Sequence, residues 1–195
     1  MPMSVARLNT PDLLASHGLF QPDSAILDLG CGSGMLADYL TDSDIACYVG
    51  ADVRYQALSA IQAKSYPPHF LFLGLNVYNP LYAVLRTGKA EDFTLPFVDS
   101  TFSAIVCHSL FTHLERESAV IAYMAELKRL LKPNGFLWTT WFRSPPNQPS
   151  DSAIRTVYKD SFIRTQLAGY EVVDEYGGLT DAFHDQWEIL ARKRP

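Results

Sequence analysis

Three glycines at alternate positions close a short apolar run: Ile26-Leu27-Asp28-Leu29-Gly30-Cys31-Gly32-Ser33-Gly34. A helical pattern starts directly afterwards, at Met35. Four consecutive residues from Ile26 read as a strand buried on both faces, as in a parallel sheet. Glycine tolerates the positive φ of a tight turn, and its missing Cβ lets a ligand lie against the backbone. The amides that open the next helix would face that ligand, with the helix dipole favouring electron-rich groups. The next strand, Ala46 to Ala51, ends in Asp52, 24 positions after Asp28. An acidic tip on the second strand, about 20 residues past the loop, is placed to accept hydrogen bonds from both hydroxyls of a ribose. The structural alternative is that Asp52 caps the helix expected over 54–64.

The dinucleotide fingerprint Gly-x-Gly-x-x-Gly would need glycine at position 35, where the chain has Met35. Asp28, Gly30, Gly32 and Gly34 instead match, position for position, the first motif of class I S-adenosylmethionine (SAM)-dependent methyltransferases, and the chain resembles the small-molecule subset of that family. The match continues through Leu95-Pro96-Phe97 followed by Asp99 and Phe102, and through a Tyr-Asn-containing loop ahead of Ala90-Glu91-Asp92-Phe93. The resemblance implies an α/β fold: a doubly wound, seven-stranded, mostly parallel sheet with helices on both faces and the last strand antiparallel. It implies SAM as cofactor and S-adenosylhomocysteine (SAH) as product. The implied cofactor-binding residues are Asp28, Gly30, Cys31, Gly32, Gly34, Asp52, Val53, Asn76, Val77, Glu91 and His108. Asn76 stands where the family often has aspartate, and its amide oxygen can still accept from the adenine amine while the Val77 amide serves a ring nitrogen. Glu91 or Asp92 is the alternative adenine contact. The carbonyl at His108 would hold the ammonium of the methionine moiety.

The remaining elements follow from pattern and punctuation. Thr10-Pro11-Asp12 is a helix start with N-cap, first-turn proline and first-turn acid, and Gly18 stops it. Residues 1–20 are thus expected as an N-terminal capping region of one domain spanning 1–195. Pro67-Pro68 precede a third strand over 70–75, and Ala104 to His108 is the fourth, beside the first at the point where strand order reverses. The helix over 117–132 carries Val120, Ile121, Met124, Leu127, Leu130 and Leu131 at a 3.6 period, with a strand over 136–142 after it. Tyr158 and Lys159 precede a helix over 160–167, and 170–176 and 187–192 read as an antiparallel edge pair.

The chain has 195 residues and a formal net charge of −5, against the basic footprint that a nucleic-acid surface needs. It has no apolar run of about 20 residues to cross a membrane, and no apolar leader in Met1 to Asn9. Cys31, Cys47 and Cys107 lack metal-ligand spacing, so free thiols in a reducing cytoplasm are expected, with no metal site. The partner is a small-molecule acceptor, and homodimerisation is left open.

Methyl transfer from a sulfonium is an in-line displacement, so the protein mainly holds donor and acceptor in near-attack geometry. A base is needed only if the acceptor must lose a proton. His108, His113, Tyr158, His184 and Asp185 are candidates; His113, five residues past the fourth strand, ranks first, and His184 is the second choice. Each has a structural alternative, as have Trp138, Trp141 and Trp187, which read as core or pocket wall. Three functional classes compete: a SAM-dependent methyltransferase of small molecules or of glycan or lipid-linked precursors, a non-catalytic SAM or SAH binder of the same fold, and a nicotinamide-dependent oxidoreductase. Met35 stands against the third.

Overall fold

The computed structural model describes residues 10–144, 156–177 and 186–195. Strand β1 (Ala25–Leu29) runs inside the sheet because both of its faces are apolar: Ile26, Leu27 and Leu29 are all fully buried. It pairs in parallel with β2 (Cys47–Asp52) on one side and with β4 (Phe102–Cys107) on the other. Outside β2 lies β3 (Phe70–Gly74), and outside β4 lies β5 (Leu131–Ser144), both parallel to their neighbours. Strands β7 (Tyr170–Tyr176) and β8 (Trp187–Lys193) complete the order β3-β2-β1-β4-β5-β8-β7, with β8 antiparallel to both β5 and β7.

Alternation along the strands divides the core. Ile26, Tyr48, Ala104, Val106 and Trp138 face α1 (Thr10–Ser16) and α2 (Met35–Leu40). Leu27, Val49, Ile105 and Leu137 face α4 (Glu117–Leu130) and α5 (Asp160–Gln166) on the other side. Helix α3 (Tyr55–Gln62) adds Leu58 and Ile61 against Cys31. This is the doubly wound fold expected, with Trp138, Trp141 and Trp187 as core.

Most boundaries fall within two residues of the sequence reading, and the largest difference is where the long helix passes into the fifth strand. The long helix ends at Leu130 and not at 132, and the fifth strand starts at Leu131 and not at 136. Leu131 is already extended (φ −78°, ψ 132°) and pairs with Phe102. Pro133 disfavours a helical residue before it, Asn134 turns at φ 62°, and pairing resumes at Phe136 opposite Ala104 after a register shift. A further difference is an eighth strand, β6 (Val157–Lys159), parallel to the far end of β5. Three residues are too short to show a period of two, so the sequence offered only a lead-in to a helix.

The Leu95-Pro96-Phe97 turn is tied to α4 by charge. Glu126, buried, accepts from the Leu95 amide (2.8 Å) and pairs with Arg129 (2.7 Å), which also donates to the Phe97 carbonyl and to Asp99. Arg129→Ala leaves that carboxylate with the Leu95 amide as its remaining partner in this network. It should lower the midpoint of urea unfolding, because breaking such a network by removing one partner weakens the hold on the other.

Candidate active site

The glycine bend is built as the alternate glycines require. Gly30, Gly32 and Gly34 all have positive φ (82°, 57° and 88°), a region that costs other residues strain. The amides of Gly30 and Cys31 turn back onto the Ala51 carbonyl at the end of β2 (2.7 and 3.2 Å), which brings Asp52 beside the bend. Asp52, buried, then accepts from the Gly32 amide through Oδ2 (2.8 Å) and from the Arg54 amide through Oδ1 (2.7 Å). The ribose and capping alternatives are therefore compatible: the carboxylate turns the chain into α3 while its remaining lone pairs stay available.

Asp28, on β1, accepts from the hydroxyl of Tyr48 on the neighbouring strand β2 at 2.6 Å. Burial pushes its carboxyl up to about 7; the Tyr48 hydrogen bond lowers it and the charge of Asp52 raises it. Burial likewise pushes the Cys31 thiol far up, with Asp28 and Asp52 adding, so the thiol in the bend is a poor nucleophile.

Two cavities open at the carboxyl ends of β1, β2 and β4, where strand order reverses. The first, about 150 Å³, has Asp52, Val53, Leu75 and Val77 along one side and Leu110, His113 and Tyr82 along the other. The second, about 290 Å³, lies under α1, with Thr10, Pro11 and Leu14 above Asp28, Cys31 and Gly32. Gly30, Arg54, His108 and Ser109 border both. Each is smaller than the roughly 300–1,000 Å³ of a typical small-molecule site; two further cavities adjoin the first, one of about 620 Å³ bordered by Glu91 and one of about 390 Å³ bordered by Asn76.

Gly34 lines neither cavity: a Cβ there would meet the Tyr66 hydroxyl at 2.9 Å and Ile61 at 3.2 Å, so this glycine serves the packing of the bend on α3. Asn76 is exposed and exchanges hydrogen bonds with Thr87, outside the first cavity. Glu91 also lies outside it, accepting from Ser118 and pairing with Arg116 at 3.6 Å. Tyr158 is buried in the core and donates to the Leu114 carbonyl, which removes it from the candidate bases. His113 stands edge-on to Tyr82 (5.1 Å between ring centroids) in a 3-10 turn, Phe111–His113. His184 and Asp185 lie outside the described residues, as does most of the proline-rich segment after β5.

The sequence reading placed Ser109 just past the fourth strand at the ligand crevice, but missed Arg54 and Tyr82 as lining residues and Tyr48 as the partner of Asp28. Ser109 has φ 56° and donates its amide to the Thr140 hydroxyl (2.7 Å), bending the chain out of β4 into the site. Such a left-handed serine carries no sequence mark. Arg54 did carry one, standing two residues past the acidic tip.

Among the described residues there is no His/Cys/Asp/Glu group that could hold a metal ion, and no helix long and apolar enough to cross a membrane. Gly32→Ala tests the cradle. Its methyl group would sit 3.0 Å from the flexible end of Arg54 at a positive φ. We expect a stability loss of about 1 kcal/mol, and roughly ten-fold weaker SAH binding in a calorimetric titration, as a ligand loses its approach to the backbone.

Bend, acidic tip and paired cavities on a doubly wound sheet define a nucleoside-binding α/β protein. A family model for the methyltransferase domain matches residues 27–139, more than half of the chain, and the chain belongs to that family. It is thus a methyltransferase with SAM as methyl donor. Similar solved structures include a SAM-dependent methyltransferase from Methanosarcina mazei (18% identity, 92% of this chain and 97% of that chain covered, TM-score 0.67). Magnesium protoporphyrin IX methyltransferase from Synechocystis PCC 6803, solved with bound SAM, is 16% identical over 94% of this chain and 76% of that chain (TM-score 0.66). The 1,6-didemethyltoxoflavin-N1-methyltransferase of Burkholderia thailandensis, with 1,6-didemethyltoxoflavin and SAH bound, is 18% identical over 95% and 76% (TM-score 0.68). At these identities the likeness speaks for the fold.

Proposed function

We propose that this methyltransferase, a single domain over 1–195, acts on a small molecule, or on a glycan or lipid-linked precursor, and catalyses mainly by positioning. The carrying observation is the pair of small cavities meeting at Gly30, Arg54, His108 and Ser109, with α1 lining the second. Two of the similar structures are methyltransferases named for small molecules, magnesium protoporphyrin IX and 1,6-didemethyltoxoflavin.

The residues fit the donor, since the space over Gly32 is one that a Cβ would take. When bound, SAM supplies an electrophilic methyl on sulfur. Asp52 holds the ribose, Val53, Leu75 and Val77 flank the base, and Gly30 and Gly32 admit the chain between them. Asp28 and the His108 carbonyl take the ammonium. His113 walls the nucleoside side with Tyr82, whereas His108 and Ser109 border both cavities. The free thiols Cys31, Cys47 and Cys107 support a reducing, cytoplasmic setting.

Titration calorimetry with SAH, followed by turnover of labelled SAM over a panel of small acceptors, tests this reading. Binding with methylation of a small molecule is expected. Methylation confined to protein or nucleic acid would overturn the acceptor class, and absence of SAH binding would overturn the site.

A further inference from the structure

Arg54 opens α3, two residues past Asp52, and its side chain turns back over the glycine bend. A Cβ on Gly32 would lie 3.0 Å from its Nη2. Its Nε is 3.5 Å from Asp52 Oδ1, and its guanidinium carbon is 5.3 Å from the centroid of the Tyr82 ring. Asp52 therefore accepts two hydrogen bonds, from the Gly32 amide at 2.8 Å and the Arg54 amide at 2.7 Å, and stands in a longer ion pair with the Arg54 guanidinium.

A carboxylate offers about four acceptor sites. The two amides leave about two of those sites for ribose hydroxyls, and the Arg54 guanidinium stands against the same carboxylate, so it has to give up its place when they approach. The two amides are fixed by the bend and by the start of α3. The guanidinium contact is the longest of the three, and its side chain is 40% exposed, free to swing into water. We propose that Arg54 and the ribose of the cofactor compete for Asp52, so that Arg54 is displaced from the carboxylate whenever a nucleoside seats. This rests on the reading of Asp52 as the ribose anchor. Arg54 is then a specificity-determining residue. A ligand with both hydroxyls offsets the lost ion pair, while one with a single hydroxyl does so incompletely.

The test uses 5′-methylthioadenosine, which carries the ribose but no amino-acid tail, so that no carboxylate on the ligand can engage Arg54 by itself. Arg54→Met keeps an apolar stem against Tyr82 and removes the charge. Because an exposed ion pair is modest, we expect about three-fold tighter binding of the probe at low salt. The gain should fade as salt screens the native pair, and vanish in an Asp52→Asn background. Tyr82→Leu, which removes only the ring under the guanidinium, should move affinity the same way by less. It also serves as the readout should Arg54→Met fail to fold. Unchanged or weaker binding of the probe by these variants would overturn the competition, as would a gain that persists at high salt or in the Asp52→Asn background. If the native protein binds SAH and the variants behave so, the proposal alone fails. If the native protein binds neither SAH nor the probe, the nucleoside reading fails and the proposal with it.

Discussion

Asp52→Ala is expected to weaken SAH binding about 100-fold. That magnitude follows from two hydrogen bonds between ribose hydroxyls and a charged acceptor, at roughly 1.5–3 kcal/mol each when made and less in net. The substitution also strands the amides of Gly32 and Arg54, whose acceptor Asp52 is. Stability should therefore fall by about 1–3 kcal/mol. Asp52→Asn separates the effects, because the amide oxygen can still take one of those donors. Calorimetry of both variants, with urea unfolding alongside, checks the expectation; Asp52→Ala binding SAH like the native protein would remove the nucleoside from this cleft.

The second large effect is on stability, at Asp28→Asn. The Asp28 carboxyl is raised from 3.8 to about 7 by burial, so between those values the folded protein holds a proton that the unfolded chain gives up. Stability from this group is therefore full below about 3.8 and is lost as pH rises through 7, because the buried carboxylate must then ionise. By pH 8 a rise of that size corresponds to about 4 kcal/mol. The neutral amide of the Asp28→Asn variant escapes that cost and can still accept from the Tyr48 hydroxyl. The variant should thus match the native protein near pH 4 and unfold about 10 °C higher at pH 8. It should also bind SAM more weakly, since a neutral amide replaces the partner of the ammonium. Equal melting temperatures at pH 8 would refute the ionisation argument. Carrying a carboxylate in the core at a cost in stability is the pattern of a binding site.

Much of this was readable along the chain. The strand-bend-helix unit at 26–40, the acidic tip of the second strand, the long amphipathic helix and the antiparallel pair at the end all rest on near-neighbour rules: apolar runs, glycine at positive φ, helix periodicity and stops. Less readable were features set by distant partners. Strand β6 exists because β5 runs on past the sheet and offers it an edge. Leu131 became a strand residue because Phe102 waits opposite. Asn76, which stands where the family often has aspartate, and Glu91 border cavities beside the first, bonded to Thr87 and to Ser118 and Arg116.

By itself, the sequence determined the class of ligand. Alternate glycines after a buried strand, with a carboxylate one strand over, leave room for little except a nucleoside on a bare backbone, and those constraints act within a few residues of each other. Only the tertiary structure decided how the site is divided and charged. Arg54 lies between two cavities, Asp28 is paired to Tyr48 of the neighbouring strand, and a helix from the N-terminal region lines the second cavity. These depend on where side chains from separate strands and loops meet, which burial and competing hydrogen bonds settle only once the whole sheet is assembled.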